Sequence, residues 1–367
     1  MTEFSTVVIG NQSLLIGCSE ALIARGHHIG AVVSDNSDIL SWAQDAGLAT
    51  FATPDAITTE FDWLFSIANL RVLPDAVIAR ATKGAINFHD GPLPERAGLN
   101  TPNWAILEGA KEHGITWHLI EGGVDEGDIL AQRRFAVAPD ETAFSLNSKC
   151  YGAALDSFTE VLEQLESGAL RRLPQDPSHR RYHARADRPA GGGLLQFNQP
   201  VADLVRLVRG LDMGGYWNPL SAAKLDLGTE VVLVGAAEAV VSEQIGQGQI
   251  GQEQIEQAQI GQVLSVDGPS LTVACTDGAI SLSDLKTPSG APLSRLGQIE
   301  PGICLPLWQV PRISALEAAL RSTQKAEPFW RRQLAEMQAL PVPLALHMTP
   351  PPDNAATDRL ETEITLP

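Results

Sequence analysis

Three polar side chains, in two short segments of the sequence, have the chemistry that acyl transfer to an amine requires. Asn87 and His89 are two residues apart at the end of an apolar segment, and Asp125 lies 38 residues after Asn87 in an acidic, glycine-rich turn. Residues two apart on a strand point to the same face of a sheet. An amide can donate to an oxyanion, an imidazole can move a proton near neutral pH, and a carboxylate can fix the imidazole tautomer. Together, these three groups would suffice for acyl transfer.

Each of these residues also has a purely structural explanation. A histidine after a strand is often hydrogen-bonded for stability, an asparagine there often belongs to a turn, and an aspartate in VDEGD is a common turn residue. Trp104, Trp117 and His118 flank the same two segments, and we interpret them first as packing residues. From residue type and spacing alone, both explanations stay open.

Apolar strands that alternate with helical patterns must position these residues. The elements predicted for residues 1–168 are a strand at 6–9, a helix at 15–25, strands at 29–33 and 63–66, a helix at 74–82, a strand at 85–88 and a long helix at 144–167. Strand, helix and strand at this spacing form a βαβ unit, so the predicted fold class is α/β with a Rossmann-like, mostly parallel sheet. Ligands of such sheets bind at the carboxyl ends of the strands. The first turn lacks the sequence GxGxxG, so NAD binding is not supported.

The second half of the sequence predicts a smaller domain after a linker. Residues 169–193 are rich in arginine, proline and glycine and are predicted to form that linker. Residues 194–310 combine a helical segment with short strands separated by turns, a pattern typical of a small, OB-like β-barrel. Residues 243–262 carry an isoleucine every five residues, which fits neither helix nor strand, so we predict a low-complexity insertion without chemistry. Residues 311–367 are predicted as a helical and proline-rich tail that leads into a further domain.

The charge and composition disfavour a nucleic-acid partner, a membrane location and a metal site. The net charge is -18, so a nucleic-acid partner would require a local basic patch. Six arginines between residues 171 and 188 form one basic segment, which is either a solvated linker or a docking strip for an acidic partner. The sequence has neither a signal peptide nor an apolar segment of membrane-spanning length, so a cytoplasmic location is expected. Its four cysteines form no CxxC pair, and no metal site is predicted.

The two segments that carry the polar residues resemble the signature of the folate-dependent formyltransferases, which include methionyl-tRNA, glycinamide-ribonucleotide and amino-sugar formyltransferases. In that family an Asn-x-His strand precedes a Ser-Leu-Leu-Pro-like loop and, further on, an Asp-x-Gly-Asp turn. The sequences AINFHDGPLPERAGLNTPNW and GITWHLIEGGVDEGDIL place Asn87, His89 and Asp125 on the three catalytic positions. The resemblance covers about residues 5–165 and, more weakly, residues 194–306, which are similar to the barrel of the methionyl-tRNA enzymes. Residues 90–94 read DGPLP and depart from the family loop, which puts the acceptor in question.

This resemblance implies an enzyme that uses 10-formyltetrahydrofolate as formyl donor. The pterin would lie beside the loop at residues 66–74, where Asn69, Leu70 and Arg71 are candidate cofactor-binding residues. Asp128, in the Asp-x-Gly-Asp turn, is a fourth candidate. For the loop residues a role in packing is an equal alternative.

Three acceptor amines are compatible with this resemblance. The negative charge disfavours a methionyl-tRNA, and no sugar-nucleotide module is evident in the sequence. The segment PFWRRQLAEMQALPVPLAL resembles the lead-in to catalytic domains of nonribosomal peptide synthetases, where a formylation domain can cap the first amino acid. The expected acceptor is therefore an amino acid tethered through phosphopantetheine to an acyl or peptidyl carrier domain, with further synthetase modules as partners and neither nucleic acid nor membrane. The alternatives are an N-formyltransferase for a nucleotide-linked amino sugar and a catalytically inactive docking domain of a synthase.

Overall fold

A seven-stranded sheet with an apolar core on each face forms the N-terminal domain. The computed structural model describes residues 2–240, 252–293, 296 and 299–336. The elements of this domain are β1 (Ser5–Ile9), α1 (Leu14–Ala24), β2 (His28–Val33), α2 (Ser37–Asp45), β3 (Thr50–Phe51), β4 (Phe61–Ser66), α3 (Asp75–Ile78), β5 (Ala81–His89), β6 (Ala97–Gly98), α4 (Thr101–Leu107), β7 (Glu112–Leu119), β8 (Ile129–Ala136) and α5 (Ala143–Ser167).

The sheet is mostly parallel, with an antiparallel edge. Its strand order is β3-β2-β1-β4-β5-β7-β8. The strands from β3 to β5 in this order run parallel, whereas β7 runs antiparallel to β5, and β8 runs antiparallel to β7. This topology confirms the predicted α/β class. The order reverses between β1 and β4, and ligands of such sheets bind outside the carboxyl ends of the strands at that point.

Apolar residues cover both faces of the central strands. On one face, Leu15 of α1 and Phe158 of α5 belong to the same buried cluster as Phe65 of β4. On the other face, Leu64 of β4 belongs to a smaller cluster with Leu73. Complete burial of one such side chain contributes about 1.5–3 kcal/mol. The two cores therefore hold in place the strands whose ends carry the polar residues.

The long helix predicted at the end of the first domain is present, whereas the helix predicted before β5 is shorter than expected. The long helix predicted at 144–167 is α5, which begins with a capping box between Thr142 and Ser145 and ends at Gly168, where φ is 70°. The helix predicted at 74–82 is wrong in length, since α3 covers only Asp75–Ile78. The chain from Ala81 onward already pairs with β4. Pairing with the neighbouring strand therefore overrides the helical pattern of the local sequence.

A five-stranded antiparallel sheet forms the second domain. The elements after α5 are β9 (Tyr182–His183), α6 (Val201–Leu211), β10 (Lys224–Asp226), β11 (Val231–Ala239), α7 (Gln252–Gln257), β12 (Val263–Asp267), β13 (Ser270–Cys275), β14 (Gly278–Lys286) and α8 (Val310–Thr323). The strand order is β10-β11-β14-β13-β12. Among the residues that the structure describes, no pairing joins β10 to β12. The structure therefore shows the antiparallel sheet of the expected OB-like barrel but does not show that the sheet closes.

Helix α6 connects the two domains. Its residues Leu204 and Val208 are buried in the core of the five-stranded sheet. At its other end, the carbonyl of Gly210 accepts a hydrogen bond of 2.9 Å from Asn103 Nδ2 of α4. A Cβ atom on Gly210 would lie 2.7 Å from Cγ of Leu107, so the two helices approach closely. The second domain thus supports α4, which follows the loop after β5.

The isoleucine repeat and the tail are described only in part. Of the predicted insertion at 243–262, residues up to 251 lie outside the described residues, but α7 shows that the expectation of no helix is wrong for Gln252–Gln257. Ile255 packs against a small apolar cluster that contains Leu264, and its neighbours are good helix formers. The chain divides into two compact units, residues 1–321 and 322–367. In the second unit α9 (Glu327–Glu336) is described, whereas most of the segment that resembles a synthetase lead-in lies outside the described residues.

The described part of the chain shows neither a membrane-spanning helix nor a metal-binding group. None of its helices is both long and apolar enough to cross a membrane. Its histidine, cysteine, aspartate and glutamate side chains form no group of three or more that could hold a metal ion.

Candidate active site

The end of β5 presents two of the predicted catalytic residues on one face of the sheet. Ile86 and Phe88 point into the larger core, so Asn87 and His89, which alternate with them, point to the other face. β7 runs antiparallel beside this end of β5 and places His118 opposite Asn87. The side chain of His89 is 5% exposed. The two residues therefore lie at the carboxyl edge of the sheet, close to the crevice where ligands of such folds bind.

The loop between β7 and β8 brings Asp125 to the same place. Its Oδ2 atom lies 3.7 Å from His89 Nδ1, and its Oδ1 atom lies 3.6 Å from His118 Nε2. The backbone of Asp125 is in the left-handed region with φ of 57°, a conformation that aspartate tolerates better than most residues. The backbone N–H of Gly98, on β6, donates a hydrogen bond of 2.9 Å to Oδ2. The structure thus brings Asn87, His89 and Asp125 together.

His118 belongs to this group, although it was predicted first as a packing residue. Its Nδ1 lies 2.8 Å from the carbonyl of Leu119 and must donate to it. A neutral ring then has a lone pair on Nε2, which accepts a hydrogen bond of 3.2 Å from Asn87 Nδ2. The signal in the sequence was the alternation along β7, where Trp117 and Leu119 lie in the larger core. The residue between them therefore had to point to the opposite face of the sheet.

His89 is held by the loop that follows it. Its Nε2 donates a short hydrogen bond of 2.6 Å to the carbonyl of Arg96, which leaves Nδ1 facing Asp125. Gly91 allows this contact, because a Cβ atom there would lie 2.6 Å from the Arg96 carbonyl oxygen and 2.9 Å from His89 Nε2. The loop that contains DGPLP therefore brings its backbone close to the imidazole of His89. A larger residue at position 91 would displace this imidazole.

Two carboxyl groups of the site have pKa values shifted in opposite directions. Burial alone would raise the pKa of Asp125, but the charge of His89 and the hydrogen bond from the Gly98 N–H outweigh it and hold this pKa well below its usual range. Burial raises the pKa of Asp90, which follows His89, and the nearby Asp125 carboxylate adds to this effect. The site therefore holds one carboxylate beside His89 that is ionised at neutral pH.

The predicted cofactor-binding residues lie at the neighbouring edge of the sheet. After β4, the loop at 66–74 exposes 58% of Leu70 and 81% of Val72. Asn69 shapes this loop from within, since its Oδ1 accepts from the Arg71 N–H at 3.1 Å and its Nδ2 donates to the Arg71 carbonyl at 3.0 Å. A cavity of about 220 Å³ opens between this loop and the turn after β1, lined by Asn11, Gln12, Ala68, Leu70, Arg71 and Arg185. This cavity lies at the point where the strand order reverses.

The other two predicted cofactor-binding side chains are engaged in ion pairs. Arg71 Nη2 lies 2.5 Å from Oδ2 of Asp35. Asp128 accepts a bond of 2.8 Å from Nε of Arg172, whose Nη2 also binds Glu121 at 2.6 Å. The carboxylate of Asp128 therefore pairs with Arg172, and Arg71 lines the cavity as one member of an ion pair.

The fold and the site define the chain as an α/β protein with an amide, two imidazoles and a carboxylate at the carboxyl edge of its sheet. Its two domains match the models of one family. Residues 57–162 match the formyl transferase model, and residues 191–296 match the model of the formyl transferase C-terminal domain. The matches together cover more than half of the chain. The chain therefore belongs to the formyltransferase family, whose members use formyltetrahydrofolate as the donor, as the sequence analysis predicted.

Similar proteins are found among several kinds of formyltransferase. A methionyl-tRNA formyltransferase from Lachnospira eligens is 26% identical over 325 residues, which cover 82% of this chain and 98% of that protein. The sugar 3N-formyltransferase WlaRD, solved with dTDP and 5-N-formyl-THF, is 16% identical with a TM-score of 0.59, over 77% of this chain and 98% of that one. HypX from Aquifex aeolicus, solved with tetrahydrofolic acid, is 18% identical with a TM-score of 0.57, over 84% of this chain. The match spans only 50% of the HypX chain.

Proposed function

We propose that this enzyme transfers a formyl group from 10-formyltetrahydrofolate to a primary amine at the site formed by Asn87, His89 and Asp125. The observation that carries the proposal is the convergence of these three residues, with His118, at the carboxyl edge of the sheet. The ionised carboxylate of Asp125 lies 3.7 Å from His89. The site thus combines an oxyanion donor, a proton carrier and a carboxylate that orients the proton carrier.

The transfer itself assigns one task to each residue. The amine nitrogen forms a bond to the formyl carbon, the bond from that carbon to N10 of the folate breaks, and the proton lost by the amine ends on N10. Asn87 Nδ2 donates to the oxyanion that forms on the formyl oxygen. His89 carries the proton of the amine to N10, and the ionised carboxylate of Asp125, which faces its Nδ1, orients the imidazole.

The loop at 66–74 supports a site for the donor beside these residues. β4 and β5 are adjacent and parallel, so the loop after β4 borders the end of β5, where Asn87 lies. The apolar side chains of Leu70 and Val72 are exposed there and suit the flat ring of a pterin. Asn69 contributes by fixing the loop, since its amide is used within it.

For the acceptor, we propose an amino acid tethered to a carrier domain of a nonribosomal peptide synthetase. The arginine-rich segment supports this assignment by its position. Arg185 Nη2 donates to the carbonyl of Leu70 at 2.9 Å, which places the segment at the edge of the 220 Å³ cavity. Arg181, in the same segment, is exposed. On a chain with a net charge of -18, this basic rim is suited to an acidic carrier and to the phosphate of its phosphopantetheine arm.

A nucleotide-linked amino sugar is the second candidate acceptor, favoured by two solved relatives. WlaRD was solved with dTDP, and the N-formyltransferase from Helicobacter canadensis was solved with folinic acid and dTDP-3-aminofucose. The match covers 98% and 100% of these chains. A phosphate of such a nucleotide would meet the same arginines at the cavity.

Intact-mass analysis of possible acceptors distinguishes these assignments. The protein is incubated with 10-formyltetrahydrofolate and, in separate reactions, with an aminoacyl-loaded carrier domain, a panel of dTDP-amino sugars and methionyl-tRNA. We expect a gain of one formyl group on the carrier, and none when Asn87→Ala replaces the wild-type protein. A gain only on a sugar or on tRNA would overturn the carrier assignment while keeping the proposed chemistry. Silence from all acceptors would overturn the proposed chemistry and favour the docking-domain alternative.

A further inference from the structure

The segment at 169–193, predicted as a linker, contacts the loop that carries Asp125. We infer that Gln175 and Arg180, in this segment, are positioning residues that hold Asp125 in its catalytic orientation. The inference rests on the catalytic role proposed for Asp125. The hydrogen bonds that these side chains make go to the backbone of the loop.

Gln175 and Arg180 bind the carbonyl groups on both sides of Asp125. Gln175 Nε2 donates to the carbonyl of Asp125 at 3.0 Å and to the carbonyl of Gly127 at 2.7 Å. Arg180 Nη2 donates to the carbonyl of Val124 at 2.7 Å, and its Nη1 donates to the carbonyl of Asp125 at 3.3 Å. Four hydrogen bonds from two side chains therefore fix three carbonyl groups within four residues.

The loop requires such support because its conformation and charge are both unfavourable. Asp125 has a positive φ of 57°, which a non-glycine residue keeps only when its surroundings impose it. The loop is also acidic, with Glu126 and Asp128 next to Asp125 in the sequence. Arg180 Nη2 lies 3.8 Å from Glu126 Oε1, so the guanidinium offsets the charge of this carboxylate while it binds the carbonyls of Val124 and Asp125.

The same segment also supports the group that binds the Asp125 carboxylate. β9 pairs with β6, where the Leu99 N–H donates to the carbonyl of His183 at 3.0 Å. Gly98, which precedes Leu99, has a φ of 93°. A Cβ atom on Gly98 would lie 2.1 Å from the His183 carbonyl oxygen. The N–H of Gly98 is thereby directed at Oδ2 of Asp125. The segment thus positions both the backbone and the carboxylate of this residue.

Steady-state kinetics of Gln175 and Arg180 variants test this inference, with the acceptor that gains a formyl group in the mass analysis. Gln175→Ala and Arg180→Ala should each lower kcat by about 10- to 100-fold, since a small displacement of a catalytic group has effects of that size. The KM for the folate donor should change little, because neither side chain belongs to its proposed site. Arg180→Lys should retain part of the activity, and free guanidinium ion should restore turnover to Arg180→Ala but not to Asp125→Asn. Arg133→Ala, which removes an arginine that pairs with Glu160 on α5, serves as the matched control and should keep wild-type turnover.

A double variant decides whether the two residues act through Asp125. If they do, adding Arg180→Ala to Asp125→Asn should lower kcat no further than Asp125→Asn alone. Multiplicative losses in the double variant would overturn the inference. Wild-type turnover in both Gln175→Ala and Arg180→Ala, while Asp125→Asn is inactive, would overturn it as well. Wild-type turnover in Asp125→Asn itself would instead overturn the proposed function on which the inference rests. Circular dichroism of each variant, unchanged from the wild type, excludes unfolding as the cause of a loss.

Discussion

At the residue scale, the orientation of one amide group decides whether the site can stabilise an oxyanion. Nδ2 of Asn87 points to Nε2 of His118 at 3.2 Å, and the tautomer of His118 is set by the carbonyl of Leu119. The histidine can only accept from the amide in this state, so it fixes which end of the amide is the donor. His118 therefore orients the second hydrogen on Nδ2, which is the one proposed to bind the oxyanion, without contacting the formyl group itself.

Substitution of Asn87 tests the oxyanion role. Asn87→Ala should lower kcat about 100- to 1000-fold, as expected when one oxyanion donor is lost. The residue is only partly buried, so the variant should unfold at nearly the wild-type temperature. Stopped assays of formyl transfer, beside thermal unfolding, measure both. Near wild-type turnover in Asn87→Ala would remove this residue from the mechanism.

Substitution of His118 tests its supporting role. His118→Phe preserves a ring in the buried position but removes the acceptor for Asn87, so kcat should fall by about 5- to 10-fold, the effect of one lost hydrogen bond. A loss as large as that of Asn87→Ala would show that His118 itself takes part in the chemistry. His179→Phe, at a side chain that is 69% exposed, is the control and should be active.

The sequence was informative about the site where chemistry and periodicity agreed. Asn87 and His89 were predicted to share a face because they end one strand, and their alternation with buried Ile86 and Phe88 places them so. His118 was interpreted as packing, because spacing alone did not reveal that β7 pairs antiparallel with β5. The pairing of distant strands depends on tertiary contacts that no local pattern encodes.

At the element scale, the loop after β5 controls the position of His89 through close backbone approach. The carbonyl of Arg96 reaches back to the imidazole at 2.6 Å, and Thr101 binds the carbonyl of Asp90 at 2.5 Å. These contacts close the loop onto the first residues of α4, which in turn packs on α6 of the second domain. The departure of this loop from the family sequence therefore concerns the support of His89 as well as the acceptor.

Enlarging Gly91 should damage both stability and activity. In Gly91→Ala the new methyl group would meet the Arg96 carbonyl oxygen at 2.6 Å and His89 Nε2 at 2.9 Å. Overpacking of this kind costs about 1–3 kcal/mol, and the shift of His89 should lower kcat as well. Gly152→Ala in α5 is the matched control, because a Cβ atom there has no neighbour within 4 Å. Denaturant unfolding should show the control at or slightly above wild-type stability, since alanine is the better helix former; equal stability of Gly91→Ala would contradict the close contact.

At the scale of the whole molecule, charge is unevenly distributed. The chain has a net charge of -18, yet Arg172 and Arg180 lie against the acidic loop around Asp125. The arginine-rich segment was predicted as either a solvated linker or a docking strip. The structure places part of it in contact with the candidate site, a role that composition could not reveal because it depends on where the segment crosses the fold. Arg181, in the same segment, is exposed.

The buried titratable groups predict how the free energy of unfolding depends on pH. Burial, together with the charge of Arg96, lowers the pKa of His113 from 6.5 to about 3. Its Nε2 donates to the carbonyl of Asp90 at 2.9 Å, and its buried Nδ1 has no hydrogen-bond partner within the described residues. A proton on Nδ1 would therefore be buried without an acceptor. Because the folded state binds this proton more weakly than the unfolded state, stability is complete above pH 6.5 and falls as the pH decreases toward 3.

A second group acts at lower pH. The hydrogen bond from Arg25, and that from His27, lower the pKa of Glu166 below its usual 4.5, so its contribution to stability is present above pH 4.5 and is lost as the pH falls further. We expect the free energy of unfolding to decline gently below pH 6.5 and more steeply below pH 4.5. Urea titrations between pH 7.5 and 3.5, roughly the range that these two groups span, measure the dependence. In His113→Gln, which keeps a donor toward Asp90 but cannot gain a proton, the gentle decline should disappear while the steep one persists; a profile unchanged from the wild type would show that His113 does not titrate with unfolding.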